Sequence, residues 1–363
     1  MTNKIVPDVL DTSKLRTKLE RMKKPPDKPK KSVQLELFTQ FVTNDQSGVS
    51  NTVELWERIP KYFFTAKQVE KLRTSDGLAK PYEWNYTENG NEYTVSIQPA
   101  LIKQKEGKYK ACFPGVTEEL VEEALKKFLS DQQYAIHDPE KQESWVKFTL
   151  GKIQKELKKR GRDRNINQIK LAIEVMSSCV ITFIKKGKEI WKGSILQDLV
   201  TVGREEYLAA TDTHHIARLP LFISHSINSL EYRQFNYDRL MNCNEQLTRW
   251  IYKRLINRFI QANHINDYAC LYSNIKQSSG LLQQARERDN RIKIISAINE
   301  LQKNGVILSY EIEERKKGRA VIDVKYTIKA TPQFIKEQTA ANKRAKDSRT
   351  IAHNAGIRLI RKS

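Results

Sequence analysis

No stretch of this chain approaches 18 consecutive apolar residues, so no membrane-spanning helix is expected. The first residues, MTNKIVPDVLDTSKLRTK, lack the apolar core of a secretory signal. Cysteine is scarce. Cys112, Cys179, Cys243 and Cys270 are scattered with no CxxC pair, which excludes a recognisable zinc site or disulfide framework and fits a reducing, cytoplasmic setting. Cys179 and Cys270 sit in apolar runs and read as core. The chain also lacks GxxxxGK[ST], the loop that cradles nucleotide phosphates. Acidic residues are the last shortage: 43 Asp and Glu face 64 Lys and Arg, a formal charge of +21 over 363 residues. An excess that large points to a polyanionic partner, and nucleic acid fits better than a membrane surface because no amphipathic anchor is evident.

What is present reads as alternating helices and hairpins. Residues 1–32 end in RMKKPPDKPKKS, a basic arm without apolar periodicity. A β-rich extension follows over 33–110. Its clearest part is YEWNYTENGNEYTVSIQPALI, two alternating strands around Asn89-Gly90, with Trp84, Tyr86 and Tyr93 expected in the core. TEELVEEALKKFLSD is expected to be a helix capped by Thr117. SWVKFTL is then a short strand, GKIQKELKKRG a short helix ending at Gly161, and NINQIKLAIEVMSSC a further helix. VITFIKKGKEIWKGSILQ closes the unit as two strands about a basic turn.

That order returns downstream. NEQLTRWIYKRLINRFIQA, with Asn244 as its cap, is a helix, YACLYS a strand, NIKQSSGLL a short helix and ERDNRIKIISAINELQKNG a long one. VILSYEIEERKKGRAVIDVKYTI supplies two strands about another basic turn. Asn167-Gln168-Ile169-Lys170 is echoed by Asn290-Arg291-Ile292-Lys293, and KKGK by KKGR, so the order reads as an internal duplication. Helix, strand, helix, helix, strand, turn, strand is the order of a winged helix, a helix-turn-helix variant. The expected fold is therefore α+β: tandem winged-helix domains at 111–212 and 241–332 behind the hairpin extension. A strand with an irregular connector joins them (213–240), and 333–363 forms a basic C-terminal tail.

A third helix offers its N-terminal end and outer face to the major groove. In the second unit this singles out Arg286, Arg288, Asn290, Arg291 and Lys293; in the first, Arg164, Asn165, Asn167, Gln168 and Lys170. Arginine suits guanine and asparagine suits adenine. Lys158, Lys159, Arg160 and Arg162, with Lys276 in the second unit, stand where backbone phosphates would run. The hairpin turns offer Lys185, Lys186 and Lys188, and Lys316, Lys317 and Arg319. Phosphate contacts position a protein and base contacts specify the sequence.

Catalytic constellations are not evident, and no cofactor or metal is expected. His214 and His215 are adjacent on an expected strand and face opposite ways, unlike the two histidines around one apolar residue that a metal-dependent nicking enzyme needs. Glu118-Glu119, Glu122-Glu123 and Glu205-Glu206 read as solvated helix faces.

The wording of several segments resembles plasmid replication initiator (Rep) proteins with two winged-helix domains, of the iteron-binding type. The resemblance runs from about Gln34 to about Lys343 and rests on QLELF, SNTVELWERIPKYF, YRQFNYD and VILSYEIE. It implies binding to repeated sites in a plasmid origin, opening of an AT-rich segment, and recruitment of a host initiator and replicative helicase. It also implies that the second domain carries base readout, while the first makes backbone contacts and, in many members, a homodimer surface. A winged-helix transcriptional or copy-number repressor is the rival reading, and a relaxase or primase a third.

Overall fold

In the computed structural model, residues 48–88, 90–131, 134–201 and 214–354 are described. The QLELF segment, Asn89, Glu205-Glu206 and the arm at 1–32 lie outside them. Among the described residues the chain is a mixed α+β structure with fifteen strands, paired antiparallel in small sheets, and eleven helices. None of those helices is long and apolar enough to cross a membrane.

The chain begins with strand β1 (Val49–Thr52), helices α1 (Glu54–Glu57) and α2 (Ala66–Leu72), and the hairpin β2 (Tyr82–Glu88) and β3 (Asn91–Gln98). The hairpin is where the Asn-Gly turn predicts it. Its inward residues alternate, with Tyr93 stacked on Tyr86 at 5.3 Å, and Val95 and Ile97 fully buried. Strands β4 (Ala100–Lys103) and β5 (Tyr109–Cys112) pair with each other and lead into α3 (Val116–Leu129). The cap of α3 is Gly115 rather than Thr117: the Glu118 carboxylate accepts a 2.7 Å hydrogen bond from the Gly115 amide. Thr117 Oγ1 instead accepts from Arg164 Nε at 3.3 Å.

Strands β6 (Ala135–Asp138) and β7 (Glu143–Phe148) precede α4 (Leu150–Lys159), α5 (Ile166–Ser178), and the hairpin β8 (Val180–Lys185) and β9 (Lys188–Gly193). The element order expected here is present, but the pairing differs. β7 joins a sheet of order β10-β11-β7-β6, where β10 is Leu199–Thr201 and β11 is His215–Arg218. The β8–β9 hairpin extends the N-terminal one as β2-β3-β8-β9. The free edge of β8 is taken by β3 because the two faces match: Tyr93 stacks on Phe183 at 5.5 Å with rings 3° from parallel, and Ile97 pairs with Ile181.

The connector is more ordered than its sequence indicates. After β11 come α6 (Leu221–Asn228), β12 (Arg233–Asn236) and α7 (Tyr237–Asn242). β12 pairs with β1, residue for residue from Val49–Asn236 to Thr52–Arg233. The second unit is α8 (Gln246–Arg258), β13 (Tyr268–Leu271), α9 (Tyr272–Ser279), α10 (Glu287–Lys303), β14 (Ile307–Lys317) and β15 (Ala320–Ala330). Its three strands form their own sheet, β13-β15-β14. Glu245, not Asn244, holds the N-cap position of α8, without a side-chain bond to the helix end. The described part of the basic tail is a long helix, α11 (Pro332–Asn354), anchored by buried Phe334 and by Arg233 bonded to Gln338 and, at 3.0 Å, Asn342; residues 355–363 lie outside the described residues.

Helices α5 and α10 share a burial pattern, at a spacing the repeated words do not show. Ile169, Ala172, Ile173 and Met176 on α5 are buried as Ile294, Ala297, Ile298 and Leu301 are on α10, a constant offset of 125. Asn167-Gln168-Ile169-Lys170 and Asn290-Arg291-Ile292-Lys293 are offset by 123, so Ile169 is buried whereas Ile292 is 52% exposed. The repeated words therefore do not fall at matching places in the burial pattern that the two helices share.

The expectation of solvated acidic faces fails on α3. Glu118, Glu119, Glu122 and Glu123 are all buried. Lys126 Nζ lies 2.6 Å from both Glu57 and Glu123, and Lys253 Nζ on α8 lies 2.7 Å from Glu57 and 3.0 Å from Glu123. Trp56 Nε1 donates to Glu122 at 2.5 Å. A buried carboxylate needs a partner, and helices α1 and α8, with Lys126 of α3 itself, bring those partners.

Candidate nucleic-acid interface

α9 ends at Gly280, whose φ of +67° turns the chain sharply, and a Cβ there would stand 2.8 Å from the Phe63 ring. The chain then runs to α10 through Gln284, which is gripped by one side chain. Asn290 Oδ1 accepts from the Gln284 amide at 2.9 Å and Asn290 Nδ2 donates to its carbonyl at 3.1 Å. Asn290 has no exposed surface. It is therefore a clamp that aims the helix, not a base-reading side chain.

Around that clamp Arg286, Arg288 and Lys293 are exposed. Lys276 on α9 is tied down: its ammonium and the Tyr272 hydroxyl both donate to the Glu287 carboxylate. Those two bonds, Lys276 first, hold Glu287 below the usual carboxylate range. Arg291 is half-buried and lines a cleft of about 430 Å³ with Trp84, Tyr272, Gln277 and Ile322. The far side of that cleft belongs to β2, and Trp84 Nε1 donates to the Gln277 carbonyl at 2.8 Å.

The β14–β15 hairpin carries its basic turn clear of the body. Every residue from Glu311 to Ala320 is exposed, and Gly318 takes a φ of +60° at the tip. Lys316 pairs with Glu314 at 2.9 Å, while Lys317 and Arg319 are exposed beside it.

The first unit divides its basic residues more sharply. Lys155, Lys158 and Lys159 are exposed along α4. Arg160 is not: it pairs with Glu156 at 3.0 Å and with Asp238, and lies over the Tyr237 ring at 5.3 Å. Arg162 donates to the Met241 carbonyl at 2.8 Å and to Asn244 Oδ1 at 2.9 Å. Arg164 donates to Thr117 and, at 2.8 Å, to the Asp163 carbonyl. Three cations of KELKKRGRDRN thus brace the fold and three face outward. A local count of charge cannot separate them, because Asp238, Tyr237, Met241, Asn244 and Thr117 reach them from remote parts of the sequence.

At the start of α5, Asn165 and Gln168 form a reciprocal cap: Asn165 Oδ1 accepts from the Gln168 amide at 2.9 Å, and Gln168 Oε1 from the Asn165 amide at 3.0 Å. Their side chains are committed to the helix end. Asn167 is exposed on the first turn and Lys170 half-buried. At the hairpin tip Lys185, Lys186 and Lys188 are exposed, with Lys186 and Gly187 both at positive φ. His215 is buried against Phe148, with ring centroids 5.4 Å apart, as an ordinary core histidine.

No family model matches the chain, and no curated protein matches it. Among solved structures, the chain is similar to domains 2 and 3 of RctB at 10% identity and a TM-score of 0.44, covering 72% of this chain and 95% of that one. A second structure of RctB domains 2–3 gives 11% identity, a TM-score of 0.43, and coverage of 74% and 97%. The Pi initiator protein in complex with iteron DNA gives 11% identity, a TM-score of 0.34, and coverage of 80% and 100%.

Proposed function

We propose that this chain is a sequence-specific binder of double-stranded DNA that initiates plasmid replication from repeated sites in an origin. Its two winged-helix units would span 111–212 and 241–332. The observation that carries the DNA reading is the second unit. A helix with exposed Arg286, Arg288 and Lys293 at its entrance stands beside an exposed hairpin tipped with Lys316, Lys317 and Arg319. In a chain of charge +21, this suits a helix in the major groove and a hairpin against flanking phosphates. The first unit adds Lys158, Lys159, Lys186 and Lys188.

The initiator reading rests on the Rep-like wording. Two of those phrases lie against each other: residues of SNTVELW and YRQFNYD form the β1–β12 pair. In this reading the protein binds direct repeats, opens neighbouring AT-rich DNA and recruits a host initiator and helicase, in the cytoplasm and by binding rather than catalysis. A homodimer surface on the first unit belongs to the same reading.

A nuclease footprint of the purified protein on the DNA beside its gene tests this. Protection of several direct repeats at helical-turn spacing, with distortion next to them, is the expected result. Protection of a single inverted repeat over a promoter would replace it with the repressor reading. Absence of protection at physiological salt would remove the DNA reading.

A further inference from the structure

The crest of α10 carries an apolar side chain. Asn290, Ile294, Ala297, Ile298 and Leu301 define the buried face of the helix. Ile292 lies two residues from both Asn290 and Ile294, so it projects about 200° around the helix from each, at about 100° per residue. It is 52% exposed. Nothing in helix formation asks for isoleucine there, since a β-branched side chain is a mediocre helix former. Its exposed neighbours on the helix are polar: Arg288 and Asp289 one turn before, Lys293 beside it and Ser296 one turn after, with half-buried Ile295 towards the body.

An apolar residue flanked by Arg288, Arg291 and Lys293 is less suited to a protein partner's apolar patch than to DNA, where phosphates meet the cations. The one apolar group on a base edge in the major groove is the thymine methyl. Resting on the proposed DNA reading, we propose that Ile292 is a specificity-determining residue that packs on a thymine methyl in each bound repeat. At the offset of 125, the equivalent position on α5 is Asn167, also exposed on its first turn. The two reading helices therefore present different chemistry from equivalent positions: an apolar side chain from α10, and from α5 an amide suited to adenine.

The test uses the full chain and duplex oligonucleotides of the footprinted repeat in which each thymine in turn is replaced by uracil, which lacks only the methyl. The expected result is a loss of about fourfold in affinity at one position, the worth of one buried methyl. Ile292→Ala should bind thymine and uracil duplexes equally there, while Ile292→Val retains the difference. Because Ile292 is exposed, both variants are expected to keep the wild-type melting temperature. Uracil tolerance at every position, or a thymine preference that survives in Ile292→Ala, would overturn the assignment to Ile292 and leave DNA binding standing. Absence of sequence-specific binding would overturn both.

Discussion

Arg249 and Glu119 meet at 2.8 Å with only 1% and 4% of their side chains exposed, joining helices α8 and α3 across 130 residues of chain. Arg249 also donates to the Cys243 and Asn244 carbonyls. Burial works against the charge of Arg249, but Glu119 more than compensates and raises its pKa. With Glu57, Glu123, Lys126 and Lys253, this pair fixes how the second unit sits on the first. Breaking such a pair from one side leaves an uncompensated charge in the interior, at about 3–5 kcal/mol. Arg249→Met is expected to lose that much stability in urea denaturation. The double variant with Glu119→Gln should lose less than the sum of the two singles, and strict additivity would show that the ions do not interact.

The same cluster sets the acid limit of the fold. Burial is the largest single effect on Glu57 and Glu123 and opposes their ionisation. The ammonium groups of Lys126 and Lys253 together outweigh it, so both carboxyls sit below their usual range. A carboxyl depressed in the folded state contributes stability that is complete above its unfolded pKa, about 4.3, and is lost as pH falls below it towards the folded value. Stability at fixed urea should therefore be insensitive to this cluster between about pH 6 and 7, well above that unfolded pKa, and decline from about pH 4 downward. In Glu123→Gln the decline should be shallower, and an unchanged acid slope would count against the cluster.

Much of the architecture was legible because it is written locally. The Asn-Gly hairpin, the glycine stops after α4 and α10, and the helical stripes of α5 and α10 all use patterns within about twenty residues. The misreadings share one cause. Glu118, Glu119, Glu122 and Glu123 look like a solvated face until α1 and α8 arrive with Trp56, Lys253 and Arg249. Arg160 and Arg162 look like phosphate ligands until the connector brings Asp238 and the head of the second unit brings Met241 and Asn244. β7 left the expected sheet because a hairpin some fifty residues earlier in the chain matched β8 better. In each case at least one partner comes from a remote segment, and periodicity does not carry that information.

Asn290 separates aiming from reading. Its fully buried amide satisfies both backbone groups of Gln284. Asn290→Ala should lose about 1–3 kcal/mol of stability through those unsatisfied groups. At temperatures where the variant is still folded, its preference among base substitutions in the target should match wild type. A selective loss of discrimination at one base pair, with stability intact, would return Asn290 to the reading surface.

Salt dependence separates exposed cations from bracing ones. Lys317 stands at the tip of the β14–β15 hairpin, and Lys158 is exposed on α4. Each phosphate contact releases condensed counterions, so log affinity falls against log salt with a slope of about −0.9 per contact on B-DNA. Lys317→Ala and Lys158→Ala should each make the slope shallower by about 1 and weaken binding evenly across sequences. Arg160→Ala removes a charge of the same sign only a short distance away, yet its guanidinium is spent on Glu156, Asp238 and the Tyr237 ring. That variant should lower the melting temperature and leave the slope unchanged. A slope that fell equally for all three would mean that net charge, not the placement of individual cations, governs the contact with DNA.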